Sequence, residues 1–482
     1  MGKEIRVRFC PSPTGNLHIG NARVALFNFL FCRHLAGTFV FRIEDTDFLR
    51  STTEFMQNEI DALRWLSLDW DEGINVGGDC GPYKQSERLD IYKKHIDHLI
   101  ESGKAYYCFC SQDQVNEDRQ QTKGESESFK YSGRCRHLTK TDVIEKISQG
   151  IPYVIRFKLP ENQESVVLTD LIRGEMSFPV SSMDDFVLVR TDGIPIYNFA
   201  VMVDDTTMNI THVIRGEDHL FGNTPRQILL YEALGITPPA FAHLPMILGP
   251  DKTKLSKRHG AFAVTDYRAL GFLPDAVVNY MALLGWSPKN DQEVFTRDEL
   301  IHAFELNHVN LSPAVFDYEK LKWFNAQFLR KLSGEELFKL VQHQLESKTD
   351  RMPKAIDLLK DHFVLLTDIP LLLHKILSFS GVQDPISDEI KGESTIQMLQ
   401  LFTDKIQSLP EVSPELIQEC IKSTGKELMI KGRGLYHPIR LAITNEDQGP
   451  NIDTIIYLLG KERTVEILRN SIQVLQGGND GN

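Results

Sequence analysis

His18 and Gly20 close the run Pro11-Ser12-Pro13-Thr14-Gly15-Asn16-Leu17-His18-Ile19-Gly20, which joins a strand-like stretch, Ile5 to Cys10, to a helix-like one, Asn21 to Leu35. A turn rich in Pro and Gly at such a junction brings backbone and small side chains close to a ligand at a helix N-terminus, where phosphate is best received. Gly20 then admits a nucleotide to the backbone, and His18 donates to phosphate oxygens. Much later, Lys254-Leu255-Ser256-Lys257-Arg258 puts three cations and a hydroxyl into five residues bracketed by Gly249-Pro250 and Gly260. A closing loop of this composition offers mobile cations to the charge that develops on a leaving pyrophosphate. Taken singly, the first run reads as an ordinary helix start and the second as a solvated basic loop.

A second set of residues suits a substrate with a side-chain carboxylate. Arg8 ends the first strand, and Arg215 ends a strand over His212 to Arg215. Ligands of α/β sheets gather at the carboxyl ends of strands, and a guanidinium meets a carboxylate with a planar fork. Glu44, just past a strand over Phe39 to Ile43, has the charge to receive an ammonium group, and Tyr197 adds a phenol. Cys10 is placed to line the same pocket as an alkylation-sensitive thiol. Each residue alone reads equally as half of a weak surface pair.

Cys108, Cys110, Cys135 and His137 form C-x-C…C-x-H. Three thiolates and an imidazole complete a closed tetrahedral zinc site, and positions 108 and 110 share one face of an extended segment. The residues alone leave zinc and separate buried thiols equally open.

The elements that must position these groups follow from periodicity. Helical spacing marks Thr53 to Leu66 and Leu89 to Ile100, and alternation with strands predicts a parallel doubly wound sheet. From Ala105 to about Ser182 the texture changes to an insertion, with a polar run over Ser111 to Lys130 and short strands at Val154 to Leu159 and Val166 to Leu168. Phe186 to Val189, Ile196 to Val203 and His212 to Arg215 read as further strands. Asn223 to Leu234 reads as a helix with Pro225 in its first turn. Beyond about Thr265 the pattern is helical, divided near Gly381 to Ile390, with a disordered tail from Gly477.

At 482 residues, two to four domains are expected. Hydrophobic content of 41% and charged content of 25% are ordinary for globular chains. No uncharged apolar run reaches bilayer-spanning length, and no secretory core follows the first basic residues. Seven cysteines, three of them clustered, suit a reducing compartment, so a cytoplasmic protein with no membrane partner is expected. A net charge of −13 lowers indiscriminate nucleic-acid binding, yet screening over about 8 Å leaves local basic strips effective. Lys426, Lys431, Arg433 and Arg440, set around Gly432, Gly434 and Tyr436, read as one such strip or, at least as readily, as a solvated helix face.

In this order and wording, P-S-P-T-G-x-L-H-I-G and K-L-S-K-R resemble the two signatures of class I aminoacyl-tRNA synthetases. R-F-C-P-S-P-T-G, R-I-E-D-T-D, Y-N-F-A and V-I-R-G-E-D resemble the glutamyl branch. The resemblance covers essentially the whole chain. It implies a Rossmann-type α/β fold with an inserted acceptor-end-binding domain and an all-helical anticodon-binding region. The implied divisions are 1–105 and 186–240 for the catalytic halves, 106–185 for the insertion, 241–325 for the loop and stem-contact region, and 326–385 and 386–482 for the helical parts. It implies catalytic roles for His18, Gly20, Lys254, Ser256, Lys257 and Arg258. ATP contacts fall to His18, Gly20, Asp218 and Lys257, and glutamate contacts to Arg8, Ser12, Glu44, Tyr197 and Arg215. Zn2+ is implied on Cys108, Cys110, Cys135 and His137. The activity it implies is ligation of glutamate to tRNA(Glu) with ATP and Mg2+, by a monomer. Leu255 and Arg258 depart from the usual K-M-S-K-S, Cys10 stands where Ala is common, and Asp218 where Glu is frequent. Alternatives are a glutaminyl-tRNA synthetase (which typically carries E-P-N-G where this chain has S-P-T-G), a glutamyl transferase acting on a modified tRNA base, and a noncatalytic RNA-binding relative.

Overall fold

Strand β1 (Arg6–Phe9) and helix α1 (Ile19–His34) lead into β2 (Thr38–Phe41), which lies parallel to β1 with Arg6 opposite Thr38 and Phe9 opposite Phe41. Val7, Phe9, Phe39, Val40 and Phe41 are all buried, as in the middle of a sheet covered on both faces. The computed structural model describes residues 4–122, 131–253, 255, 262–346, 348–382 and 390–477. They form two compact units, residues 1–267 with 277–318 and residues 268–276 with 319–482.

In the first unit the chain continues through α2 (Thr53–Trp65), whose Thr52 side chain accepts from the N–H of Phe55, to β3 (Glu72–Gly73) and α3 (Leu89–Glu101). There follow β4 (Ala105–Cys108), α4 (Gln112–Thr122), α5 (Lys140–Ser148), β5 (Val154–Phe157), β6 (Ser165–Asp170), β7 (Gly174–Pro179) and β8 (Val187–Val189). Next come α6 (Tyr197–Thr207), β9 (His212–Gly216), α7 (Thr224–Ala233), β10 (Ala240–Leu244) and β11 (Ile247–Leu248). Four strands run in the order β7-β6-β10-β9, with β9 and β10 parallel. β9 reaches β1 through Thr211, whose N–H donates to the Arg6 carbonyl at 2.9 Å. From β1 the chain therefore runs to β2 on one side and later to β9 on the other. That reversal is where a doubly wound sheet opens a crevice at its strand ends.

Strand pairing crosses the expected insertion limits in both directions. β4, β5 and β8 make an antiparallel sheet, while the β6–β7 hairpin joins the catalytic sheet, with Asp170 opposite Phe241. The polar run begins with α4, and residues 123–130 lie outside the described residues.

The strand expected over Ile196 to Val203 is instead α6. Residues 198 to 205 are buried without interruption, so the run lacks the two-residue alternation of a half-buried strand and reads like a buried helix or buried strand alike. The hydroxyls of Thr206 and Thr207 donate to the carbonyls of Met202 and Val203, four residues back, as on a helix. Tyr197 is thus the first residue of a helix, and Asp204 and Asp205 lie on it.

In the second unit the described elements from residue 319 on are helical. Leu337, Ile356, Leu399, Phe402, Ile456 and Leu468 belong to one apolar core that runs through both expected helical parts. Residues 383–389, in the expected division, and 478–482, in the tail, lie outside the described residues.

Candidate active site

No side chain caps α1, and no acidic residue lies in its first turn, so its N-terminal N–H groups and partial positive charge are left for a ligand. His18 sits at the N-cap position and is exposed. A Cβ on Gly20 would meet no described atom within 4 Å, so the helix start opens onto free space. His18 also forms a bridge with Ala263, and the N–H of Val264 donates to the Leu17 carbonyl at 2.9 Å. Ala263 and Val264, past the basic run in sequence, are therefore tied to the nucleotide turn. Lys254, Ser256, Lys257 and Arg258 themselves lie outside the described residues.

Arg8 and Arg215 stand on neighbouring strands, 2% and 4% exposed, and their charges act on one another. Their electrostatic situations differ. The Nε and Nη2 of Arg8 donate to Asp205, while its Nη1 has no partner among the described residues. Burial works against the Arg8 charge, but Asp205 leads the groups that hold it above the ordinary value. Arg215 instead donates through Nε to His243 and through Nη2 to Thr224 and Gln227, all uncharged acceptors. Its Nη1 is buried with no acceptor among the described residues. Burial pulls its guanidinium below the ordinary value, and Arg8 adds to the pull. Arg215 is a desolvated cation with a free donor and no carboxylate among its hydrogen-bond partners.

Tyr197 faces Glu44, Arg215, Cys10 and Arg8, and burial pushes its phenol up. Glu44 accepts from Arg42 at 3.0 Å, and burial lifts its carboxyl above the ordinary range. Ser12 is exposed on the turn, and its carbonyl accepts from the N–H of Thr14. Asp218 is exposed near the end of β9. Cys10 does join the cluster, but burial drives its thiol up to about 12, which keeps it protonated. The expected ready alkylation is therefore corrected, because the thiolate is the nucleophile.

Sequence reasoning missed the charge network beneath these residues. Arg42, wholly buried, donates to Asp205 at 2.9 Å and lies 3.5 Å from Asp204. Asp204 also accepts from Arg88 at 2.6 Å, Gln85 at 2.9 Å and Tyr92 at 3.0 Å. Arg8, Arg42 and Arg88 thus balance Glu44, Asp204 and Asp205. His219 was missed as well. Its ring stacks on Tyr197 with centroids 5.5 Å apart, and burial and Arg215 pull it down to about 4. The adjacent acidic pair at 204 and 205 and the histidine beside Asp218 were the available signals.

In the insertion, Cys108, Cys110 and Cys135 bring their sulfurs within 4.8 Å of one another. The Cys110–Cys135 separation is 3.7 Å, and tetrahedral zinc with 2.3 Å bonds to sulfur sets such an edge at about 3.8 Å. The donor set fits a zinc ion. His137 is not part of it and is exposed. Cys135 lies in a turn closed by the N–H of Arg136 on Gly133 and of Leu138 on Cys135, so positions 135 and 137 do not share a face as they would in a strand. The Tyr131 phenol lies there instead, 3.1 Å from Cys108 Sγ and 3.3 Å from Cys110 Sγ.

In the second unit Arg433, Tyr436, His437 and Arg440 line a cleft of 320 Å³. Tyr436 is 40% exposed.

Residues 4–323 match the family described as tRNA synthetases class I (E and Q), catalytic domain, and residues 336–472 match an anticodon binding domain. The chain belongs to the class I tRNA synthetases of the E and Q branch. A glutamate–tRNA ligase of Natranaerobius thermophilus is 43% identical over 491 residues, covering 99% of this chain and 100% of that protein. One from Carboxydothermus hydrogenoformans is 43% identical over 471 residues, covering 95% and 97%. The crystal structure of a glutamate tRNA ligase from Elizabethkingia meningosepticum, in complex with its amino acid, superposes with a TM-score of 0.89 at 35% identity, covering 98% of this chain and 100% of that one. Within the branch, this chain is a member of the glutamate–tRNA ligase family.

Proposed function

We propose that the chain joins L-glutamate to the 3′-terminal adenosine of tRNA(Glu) in two steps. The α-carboxylate of glutamate attacks the α-phosphorus of MgATP, the bond to the departing pyrophosphate breaks, and glutamyl-adenylate remains. A ribose hydroxyl at the tRNA end then attacks the activated carbonyl and AMP leaves. Neither step needs a protein nucleophile, so the protein supplies orientation and charge.

The α1 N-terminus with His18 and Gly20 receives the phosphates, and Asp218 lies toward the nucleotide. Lys254, Ser256, Lys257 and Arg258 meet the charge on the leaving pyrophosphate. Arg215 and Arg8 take the substrate's side-chain carboxylate, Tyr197 and Ser12 orient it, and Glu44 faces the ammonium. A zinc ion on Cys108, Cys110 and Cys135, with Tyr131 rather than His137 at the fourth corner, would be structural and hold the acceptor-binding insertion in shape. The helical unit contacts the anticodon through the basic strip around Tyr436. The protein acts in the cytoplasm as a monomer.

The observation that carries the amino-acid reading is the buried Nη1 of Arg215, which lacks an acceptor among the described residues. The test is a charging assay with glutamate and glutamine against separated tRNA(Glu) and tRNA(Gln). Glutamate is expected on tRNA(Glu), with glutamine disfavoured by ~10⁴ or more. Comparable charging of glutamine would refute it.

A further inference from the structure

Behind Arg215 lies a buried chain of groups outside the ATP and glutamate contacts assigned above. Asp170, on the β6–β7 hairpin, accepts from His243 Nδ1 at 2.6 Å and from the backbone N–H groups of Ile172 and Arg173 at 2.9 Å each. Burial pushes the Asp170 carboxyl up, but His243 and the two N–H groups reverse this and hold it below its ordinary range. Asp170 is therefore an ionised acceptor, and the proton of a neutral His243 must sit on Nδ1. Nε2 is left as an acceptor. It faces Arg215 Nε at 3.3 Å and Thr224 Oγ1 at 2.9 Å. A guanidinium Nε only donates, so this contact exists in one tautomer alone.

We propose that His243, fixed in that tautomer by Asp170, is a positioning residue that aims the free Nη1 of Arg215 at the substrate carboxylate, so that a proton on His243 weakens glutamate capture. The proposal rests on the reading of Arg215 as a glutamate contact. With Nε on His243 and Nη2 shared by Thr224 and Gln227, the guanidinium plane is fixed and Nη1 is the donor left over. Protonated His243 would turn Nε2–H against Nε–H, donor to donor and cation to cation, and tilt the fork. The charged groups facing His243 are Asp170 and Arg173 from the hairpin and Arg215 from β9, with Thr224 from α7 as a neutral neighbour. Arg173 is itself paired with Glu217. Burial pulls His243 below its ordinary value, with Asp170 opposing and Arg215 assisting. Loss of glutamate capture is therefore expected only at pH below the usual histidine range.

The test measures KM for glutamate, MgATP and tRNA(Glu) in charging assays between pH 5 and 8. His243→Ala should raise KM for glutamate roughly tenfold, the scale of one charge-assisted hydrogen bond, and leave the other two within about twofold. His243→Gln, whose amide oxygen can accept from Nε, should restore most of the loss and remove the acid rise in KM expected of the wild type. If the alanine variant does not fold, Asp170→Asn should raise KM for glutamate in the same direction. The inference is overturned if all three KM values move together, if glutamine rescues nothing, if the acid rise persists in His243→Gln, or if Asp170→Asn leaves KM for glutamate unchanged. Arg215→Ala separates the two readings. If it leaves KM for glutamate unchanged, the substrate assignment itself falls; if it raises KM while His243→Ala does not, only the positioning role falls.

Discussion

Replacing Asp205 by asparagine tests whether the buried charge network sets the glutamate site. Asp205 accepts from Arg8 through two donors and from Arg42 at 2.9 Å, and all three residues are buried. Asparagine keeps the shape, but it removes the charge and turns an NH2 group toward one of two guanidinium groups. Breaking a buried pair while leaving its cation in place typically destabilises by about 3–5 kcal/mol. Two cations lose the same partner here, and their effects overlap rather than add, so that range is the expectation for Asp205→Asn. A domain larger than 250 residues shifts by about 2 °C per kcal/mol, giving a fall of about 6–10 °C in the melting of the first unit. Near-UV circular dichroism follows that transition, and charging kinetics follow the site. Released from Asp205, Arg8 should lose its fixed orientation and raise KM for glutamate about tenfold or more. A melting shift under about 2 °C together with an unchanged KM would refute the argument that Asp205 holds Arg8 in place.

Two further outcomes are expected. Glu59 on α2 is buried with an unpartnered Oε2, and burial raises its carboxyl to about 8. The folded state therefore keeps a proton that the unfolded chain, at 4.5, has lost, and stability falls as pH rises from about 4.5 to 8. At 1.36 kcal/mol per unit the ceiling is about 5 kcal/mol. Glu59→Gln should flatten this part of the pH–stability curve, and parallel curves for the two proteins would reject it. For the thiol cluster, purified protein should contain close to one zinc, lost with a fall in melting temperature in Cys135→Ala and retained in His137→Ala. Zinc-free protein with an unaffected Cys135→Ala variant, or zinc loss in His137→Ala, would count against the site as drawn.

The parts of the site that were legible in sequence are those whose chemistry is contiguous. The Pro11 to Gly20 turn carries its strand, its bend and its helix start within one stretch, so its geometry follows from local rules. Arg8 and Arg215 could be placed because each lies one residue from the carboxyl end of a strand. Asp205 and Asp204 could not, since a uniformly buried run gives no period to tell α6 from a strand, and their partners lie far off in the chain. Asp170 and His243 were hidden for a related reason. Their contact depends on the β6–β7 hairpin joining the catalytic sheet beside β10, a long-range pairing with no local signature. His137 was named from the C-x-H wording alone, and the tight turn around Cys135 sets it apart from the three thiols, which the wording does not show.

The two arginines of the pocket do different work because of what stands behind them. Arg8 is neutralised by Asp205, so its charge is committed before a substrate arrives and it contributes shape and one leftover donor. Arg215 has no carboxylate among its described hydrogen-bond partners: Asp205 acts on it only as a charge without a hydrogen bond, and Asp170 reaches it through the imidazole of His243. On the proposed reading, a substrate carboxylate supplies both an acceptor for Nη1 and the hydrogen-bonded counter-charge that Arg215 lacks among the described residues. Glutamine can offer Arg215 its amide oxygen but no charge, and its NH2 group turns a donor toward donors. The buried cation would then gain no directly paired anion, and an unpaired buried charge costs several kcal/mol in protein interiors. On this reading, selection of glutamate over its amide comes less from the number of arginines present than from leaving one of them unpaired.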